Sequence, residues 1–335
     1  MTIFVLLLGT LLLSWGGTFG VRRYALARRL LDVPNARSSH SIPTPRGGGV
    51  AIVFAFLTAL PMLVSLEAVD MSLMWALLGA GAWIALLGFL DDHGHVAARW
   101  RLIGHFCGAA WALFWIGGMP PIMAFGERFE LSWAGYALAA IGLVWLLNLY
   151  NFMDGIDGIA SVEAITVCLG GGLLYWLSGQ AALAWPLLVL ALAVAGFLFW
   201  NFPPARIFMG DAGSGFLGIT LGIFALHAAW TIPELFWGWL ILLGVFVVDA
   251  TYTLVRRLLR GDRVYEPHRS HAYQFASRRF DHLPVTLVVG LLNFLWLVPM
   301  ATLVVLGWLD GAVGMLLAYC PLLLLARRFR AGALE

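Results

Sequence analysis

Residues 148–158 read Asn148-Leu149-Tyr150-Asn151-Phe152-Met153-Asp154-Gly155-Ile156-Asp157-Gly158, between apolar runs at 131–150 and 159–177. Each run is about the twenty residues that a helix needs to cross a bilayer. Asn148, Asn151, Asp154 and Asp157 recur every three residues, so a continuing helix would place them on one face. Gly155 and Gly158 argue instead that the helix unwinds and lets the backbone approach a ligand. A plain Asx/Gly turn between two spans is the simpler alternative. Either way, two spanning helices joined by a polar, acidic hinge point to an all-α integral membrane protein.

Working outward, the apolar pattern repeats. Eleven such runs are found at 1–21, 47–66, 71–90, 102–119, 131–150, 159–177, 181–200, 213–232, 235–256, 285–307 and 309–326, so about eleven transmembrane helices are expected. The 335 residues are 61% hydrophobic and only 11% charged, against roughly 25% charged in a soluble domain. A water-soluble globule is excluded. A net charge of +2 with apolar runs throughout also excludes disordered and nucleic-acid-binding classes. Cys107, Cys168 and Cys320 lie inside apolar runs and offer neither a disulfide framework nor zinc spacing. The first run lacks a basic n-region and a small-residue cleavage site, so it reads as a retained helix.

Every one of the 20 Lys-or-Arg positions is arginine, which removes lysine-nucleophile and Schiff-base mechanisms. Their distribution sets the orientation. Loop 22–46 holds six arginines and segment 256–284 holds seven. With alternating spans, Arg99, Arg101, Arg206, Arg327, Arg328 and Arg330 fall on that same side, leaving only Arg128 opposite. The positive-inside rule makes the arginine-rich side cytoplasmic. The expectation is one polytopic domain over 1–335, N-terminus outside and C-terminus cytoplasmic, with long cytoplasmic loops at 22–46 and 257–284. The opposite loops are short and carry Glu67, Asp70, Glu127, Glu130, Glu234 and Asp310.

The residues able to do chemistry gather on the arginine-rich face. Asp91-Asp92-His93-Gly94-His95 follows the third run, and the Asn151–Asp157 segment follows the fifth. Gly210-Asp211-Ala212-Gly213-Ser214-Gly215 opens the eighth, and Glu266-Pro267-His268-Arg269-Ser270-His271 lies in the last long loop. A solvated helix end would account for Asp91-Asp92, yet carboxylates there oppose the helix dipole and need a cation. The 210–215 turn resembles a phosphate-cradling helix N-terminus, although glycine-rich turns are common between spans. His93 and His95 read equally as loop or site residues. His268 and His271 stand at i, i+3, without the further ligands zinc needs. Asp249, inside the ninth run, is a functional candidate by default; a hydrogen bond across the bundle explains it as well. His227 reads as a satisfied bundle histidine.

Clustered oxygen ligands without a Cys/His set favour Mg²⁺ or Mn²⁺, held partly by substrate phosphates. Arginines that fork onto phosphate oxygens surround them. This combination calls for phosphoryl transfer in a cytoplasmic cleft. A secondary transporter, the alternative from another class, would carry its polar residues near the bilayer midplane on broken helices.

Over nearly its whole length the chain resembles the polyprenyl-phosphate N-acetylhexosamine-1-phosphate transferase superfamily, which includes WecA and MraY. The resemblance is carried by the eleven-run layout, Leu31-Asp32 through His40, Pro45-Arg46-Gly47-Gly48-Gly49, Asp91-Asp92, Asn151 to Gly158, Phe208 to Ser214 and the final histidine loop. It implies a multi-pass, Mg²⁺-dependent enzyme of the bacterial cytoplasmic membrane. Such an enzyme transfers sugar-1-phosphate from a UDP-N-acetyl sugar to undecaprenyl phosphate and releases UMP; a homodimer is compatible with it. By position, the resemblance makes Asp211 the principal Mg²⁺ ligand and places Asn151 near metal and nucleotide. It places Asp154 and Asp157 in the nucleotide pocket, Asp157 at the uracil edge, and Phe208 and Gly210 beside the uracil. Asp91 and Asp92 match the acidic pair near the prenyl phosphate, as base or metal-associated groups. His268, Arg269 and His271 match the loop that meets the diphosphate or sugar, and Arg46 joins Arg269 in neutralising phosphate oxygens.

The departures point to a branch. The peptidoglycan-precursor enzymes carry a lysine before a Pro-Thr-Met-Gly-Gly segment and a three-histidine run. This chain has no lysine, reads Pro43-Thr44-Pro45-Arg46-Gly47-Gly48-Gly49, and has His268-Arg269-Ser270-His271. It looks closer to the WecA/WbpL-like branch that initiates O-antigen or related lipopolysaccharide glycans. GlcNAc or a 6-deoxy sugar such as FucNAc or QuiNAc is then the expected donor, with phospho-MurNAc-pentapeptide transfer as the alternative.

Overall fold

In the computed structural model, which describes residues 1–34, 42–94, 96–262 and 268–334, all eleven apolar runs are helical. Arg37, His40, His95, Arg263 and Glu266 lie outside the described residues. The order is α1 (Thr2–Arg28), β1 (Leu31–Asp32), β2 (Thr44–Pro45), α2 (Val50–Ser65), α3 (Met71–Gly94), α4 (Ala98–Ile116), β3 (Ile122–Ala124), β4 (Glu127–Phe129), α5 (Ser132–Met153), α6 (Ile159–Leu177), α7 (Ala184–Asn201) and α8 (Asp211–Thr231). Then follow α9 (Glu234–Leu242), α10 (Gly244–Arg260), α11 (Ala272–Phe280), α12 (His282–Leu292), a π-turn at Asn293–Leu297, α13 (Val298–Val305) and α14 (Gly311–Arg328). The strands form two small antiparallel pairs, β1 with β2 and β3 with β4.

Among the described residues, 8 helices are long and apolar enough to cross a membrane, or 9 if the pair α9–α10, bent by 70°, is one span. Two of the eleven runs fall outside that set for visible reasons: α2 is short at 16 residues, and α4 opens with Arg99 and Arg101. Helices α1 and α10 run past the expected loop boundaries, to Arg28 and Arg260. An arginine can lay its apolar stem along a helix while its guanidinium reaches water.

The middle of the bundle is α8, buried along nearly its whole length and packed against α3, α5 and α9. Small residues set these distances, as in membrane helix pairs generally. A Cβ at Gly218 would stand 2.5 Å from Leu147 Cα and 2.8 Å from the Leu146 carbonyl oxygen. Glycine therefore lets α5 lie directly on α8. Outside the core, Phe114, Leu295 and Leu316 are exposed, as lipid-facing residues are.

The two ends of the bundle differ. At one end Trp133, Trp176, Trp230 and Trp308 are exposed, like an interfacial aromatic belt. There Asp310 accepts a hydrogen bond from the Phe125 N–H at 2.7 Å, docking the β3–β4 hairpin. Asp70 meets His227 at 3.9 Å at this end, which gives the bundle histidine its partner. The other end gathers the C-termini of α3, α5 and α7 with the N-termini of α4, α6 and α8, and there the acidic motifs meet.

Candidate active site

The chain enters the site through the glycine segment after β2. Phe208 N–H donates to the Pro45 carbonyl at 2.8 Å, Gly48 N–H to Phe208 at 2.9 Å, and Gly49 N–H to Met209 at 2.9 Å. This pairing fixes Arg46 and Phe208 beside the start of α8. Gly210 then turns the chain at φ 79. A Cβ there would lie 2.6 Å from Asp92 Oδ2, so backbone and carboxylate can touch only at glycine.

Four helix ends supply the polar groups. Asp91 and Asp92, both buried, lie in the last turn of α3. Asp91 Oδ1 accepts from the Val96 N–H at 2.6 Å, and its Oδ2 pairs with Arg101 of α4. Asp92 Oδ2 faces the Ala212 N–H at the start of α8 at 3.4 Å, where a helix N-terminus favours negative charge. Its Oδ1 lies 3.9 Å from Arg46 Nε, and Arg46 also donates to the Asp92 carbonyl. From the end of α5, Asn151 Nδ2 donates to Asp211 Oδ1 at 2.8 Å and to Ser214 Oγ at 3.1 Å. Arg101 Nη1 completes the group, 3.7 Å from Asp211 Oδ2.

Acidic groups outweigh cations here. Burial, followed by the charges of Asp211, Asp92 and Asp157, pushes the Asp154 carboxyl well above the usual carboxylate range. Such a site attracts a cation. Asn151 spends its amide nitrogen on Asp211 and Ser214, so its oxygen is the atom able to act as a ligand beside the Asp211 carboxylate. Among the described residues no three His, Cys, Asp or Glu side chains form a ligand set. A hard cation would therefore draw its other ligands from phosphate oxygens and water, which suits Mg²⁺.

Asp157 stands apart from the carboxylate cluster. Its Oδ2 accepts from the Ala205 N–H at 2.9 Å, its Oδ1 lies 3.2 Å from His282 Nδ1, and its carbonyl accepts from Thr286 Oγ1 at 2.8 Å. It binds the 201–210 segment to α12. Beside it the chain turns through Gly158 at φ 75, so α5 does unwind before α6 begins. The Gly158 N–H donates to Asn201 Oδ1 at 3.0 Å, and Asn201 Nδ2 donates to the Ile207 carbonyl at 3.0 Å.

The histidine loop leads into α11 and meets the end of α5. His268 stacks on His271 with centroids 4.9 Å apart, and His271 stacks over Phe152 at 6.5 Å. The Arg269 carbonyl accepts from Arg278 Nη2 at 2.7 Å. The loop thus abuts the Asn151–Asp157 segment through Phe152.

A cleft of about 200 Å³ opens below the carboxylates. Its walls are Leu87, Leu102 and Leu147, and Asp91, Arg101, Asn151 and Asp211 line its polar side together with His105 and Asn148. Arg101 lies on the arginine-rich face as its position in the chain implies, whereas its pairing with Asp91 and the place of His105 in the cleft follow only from the packing of α4. The spacing of Asp211 and Ser214, three residues apart at a helix start, was the available signal for Ser214.

The glycosyl transferase family 4 sequence profile matches residues 74–229, which run from within α3 to within α8 and take in Asp91, Asp92, Asp154, Asp157 and Asp211. A probable undecaprenyl-phosphate N-acetylglucosaminyl 1-phosphate transferase of Bacillus subtilis is 31% identical over 283 residues, covering 82% of this chain and 78% of that protein. The chain belongs to the polyprenyl-phosphate N-acetylhexosamine-1-phosphate transferase superfamily. Another relative of this transferase is a decaprenyl-phosphate N-acetylglucosaminephosphotransferase of Mycobacterium tuberculosis H37Rv, 28% identical over 85% of this chain and 77% of that one. A phospho-N-acetylmuramoyl-pentapeptide-transferase of Chlamydia muridarum is 32% identical, over 63% of this chain and 68% of its own. As a member of the superfamily, the protein is a multi-pass membrane transferase acting on phosphosugars.

Proposed function

We propose that this transferase moves N-acetylhexosamine-1-phosphate from a UDP-sugar to undecaprenyl phosphate and releases UMP, with the carboxylate end of the bundle facing the cytoplasm of a bacterium. The observation that carries this is the meeting of Asp91, Asp92, Asn151 and Asp211 with Arg46 and Arg101 above a leucine-walled cleft. Such a cleft accepts an amphiphile whose phosphate head ends beside Arg101, where a bound cation would offset the acidic excess. The arginines of loops and tail, gathered on that side, support the orientation.

Both substrates are anionic, so catalysis rests on positioning and charge neutralisation. Asp211 and the Asn151 oxygen would hold Mg²⁺, which when bound neutralises the donor diphosphate. A phosphate monoester has a second pKa of about 6, so the lipid phosphate is largely dianionic at neutral pH and needs little help from a base. Asp91 already accepts from Arg101 and Val96 and Asp92 from Ala212, while the Arg46 guanidinium pairs with the Asp92 carboxylate at 3.9 Å and donates to its carbonyl. That commitment supports a role in aiming the two guanidiniums at phosphate oxygens. The histidine loop and Arg269 close the donor side, and Phe208 with Gly210 lines the nucleotide.

The donor is GlcNAc or a 6-deoxy N-acetyl sugar, and the product initiates an O-antigen or related envelope glycan. The absence of lysine and the His268-Arg269-Ser270-His271 sequence favour this over muramyl-pentapeptide transfer. UMP release from a panel of UDP-GlcNAc, UDP-GalNAc, UDP-QuiNAc and UDP-FucNAc in membranes, with undecaprenyl phosphate and Mg²⁺, tests the proposal. Release with none of the four overturns it.

A further inference from the structure

Asp249 is a buried carboxylate in α10, five residues beyond the 70° bend from α9. Its oxygens are not spent within its own helix alone. Oδ1 accepts from the Ala272 N–H at 2.8 Å and Oδ2 from the Tyr273 N–H at 3.0 Å, the first two residues of α11. Thr253 Oγ1 adds a bond to Oδ1 at 3.1 Å, and His271 Nδ1 lies 3.5 Å from the same oxygen. The first amides of a helix have no partner inside it, and a carboxylate is the group its dipole favours there.

What Asp249 holds reaches into the site. Tyr273 Oη donates to the Phe152 carbonyl at 2.9 Å, next to Asn151. The same hydroxyl lies against Gly155, where a Cβ would come within 2.1 Å of it. His271, immediately before α11, stacks on both His268 and Phe152. Apolar packing holds α11 through Ala272, Tyr273 and Ala276, although a cavity of about 330 Å³ lies between it and α10, α12 and α14. Val248, Ala276, Val285, Val289 and Leu322 line it. The orientation of the first turn of α11 is set by directional polar ties as well, and Asp249 makes two of them.

We propose that Asp249 is a positioning residue for transfer: from the bent helix it holds the His268–His271 pair and Tyr273 against the Asn151 end of α5. This rests on the functional reading above, in which that loop meets the donor.

The test compares wild type, Asp249→Asn, His271→Ala and the double variant, purified in detergent, by UMP release. The asparagine fills the same space but turns an N–H donor toward one of the two amides. Expected is a loss of about 30-fold in kcat/KM for the UDP-sugar, the scale of losing a hydrogen bond to a charged group. The KM for undecaprenyl phosphate stays unchanged. Asp249→Asn costs several-fold less in the His271→Ala background than alone, the remainder acting through Tyr273, since residues acting through one another are non-additive. Tyr273→Phe, which removes only the tie to Phe152, lowers kcat without unfolding the protein and keeps the test open should Asp249→Asn fail to insert. Wild-type kinetics in Asp249→Asn, or full additivity with His271→Ala, overturns the inference while the functional reading stands. A wild-type enzyme that releases no UMP overturns both.

Discussion

Gly218→Ala examines how the site is held together rather than what it contains. The new Cβ would stand 2.5 Å from Leu147 Cα and 2.8 Å from the Leu146 carbonyl oxygen. Carbon atoms in contact sit about 3.5–4.0 Å apart, so α5 must retreat from α8 by roughly 1 Å. Leu147 is one helical turn before Asn151, whose amide lies 2.8 Å from Asp211. A retreat of about 1 Å stretches that bond beyond hydrogen-bonding distance. Alanine is the better helix former by about 1 kcal/mol, which offsets part of the ~1–3 kcal/mol cost of overpacking. The variant is therefore expected to fold and insert while its kcat falls about 100-fold, the cost of an ångström-scale misplacement. UMP release by purified enzyme, with thermal unfolding alongside, measures both. Two controls calibrate the result. At Gly222 the Cβ meets the Leu143 Cδ2 methyl at 2.6 Å, the end of a side chain that can rotate, and activity stays close to wild type. At Gly142 nothing lies within 4 Å and no change is expected. If Gly218→Ala turns over like Gly142→Ala, the claim that this contact sets the site geometry is wrong.

Asp211→Asn keeps an oxygen for the Asn151 amide but removes the charge, so the protein stays folded while turnover drops by about 10³-fold or more; retained UMP release removes Asp211 from the metal role. Chelation of divalent cations abolishes UMP release, and Mg²⁺ or Mn²⁺ restores it; activity that survives chelation contradicts a metal-assisted reaction. Radiolabelled UDP-sugar leaves no sugar-phosphate on the protein when lipid acceptor is omitted, and a trapped adduct would replace direct attack with a covalent aspartyl route. Asn201→Ala deprives the Gly158 N–H and the Ile207 carbonyl of their partners; unfolding measurements should show a loss of about 1–3 kcal/mol, and unchanged stability would mean that water replaces the amide.

Hydropathy made the helices legible because it is a property of contiguous residues. It reaches the span count in part: among the described residues nine segments, the bent α9–α10 pair taken as one, are long and apolar enough to cross, while α2 has 16 residues and α4 carries two arginines in its first turns. The polar site groups are legible together because alternating spans return Asp91, Asn151 and Asp211 to the same face. Their partners are not. Arg101 meets Asp91 and Asp211 from another helix, and Asp157 is tied to Ala205 and His282 across long stretches of chain. Asp249 was ambiguous for the same reason, since the amides it receives are 23 and 24 residues away.

Composition and arginine placement alone determined that this chain is a membrane protein with its chemistry at one end, because burial in lipid and charge asymmetry are read residue by residue. Only the tertiary structure decided which carboxylate meets which donor. Hydrogen bonds form over about 3 Å, and whether two side chains come that close depends on how tightly their helices pack. At Gly218 that packing is set by the absence of a side chain, and the motifs that share the face carry no trace of it.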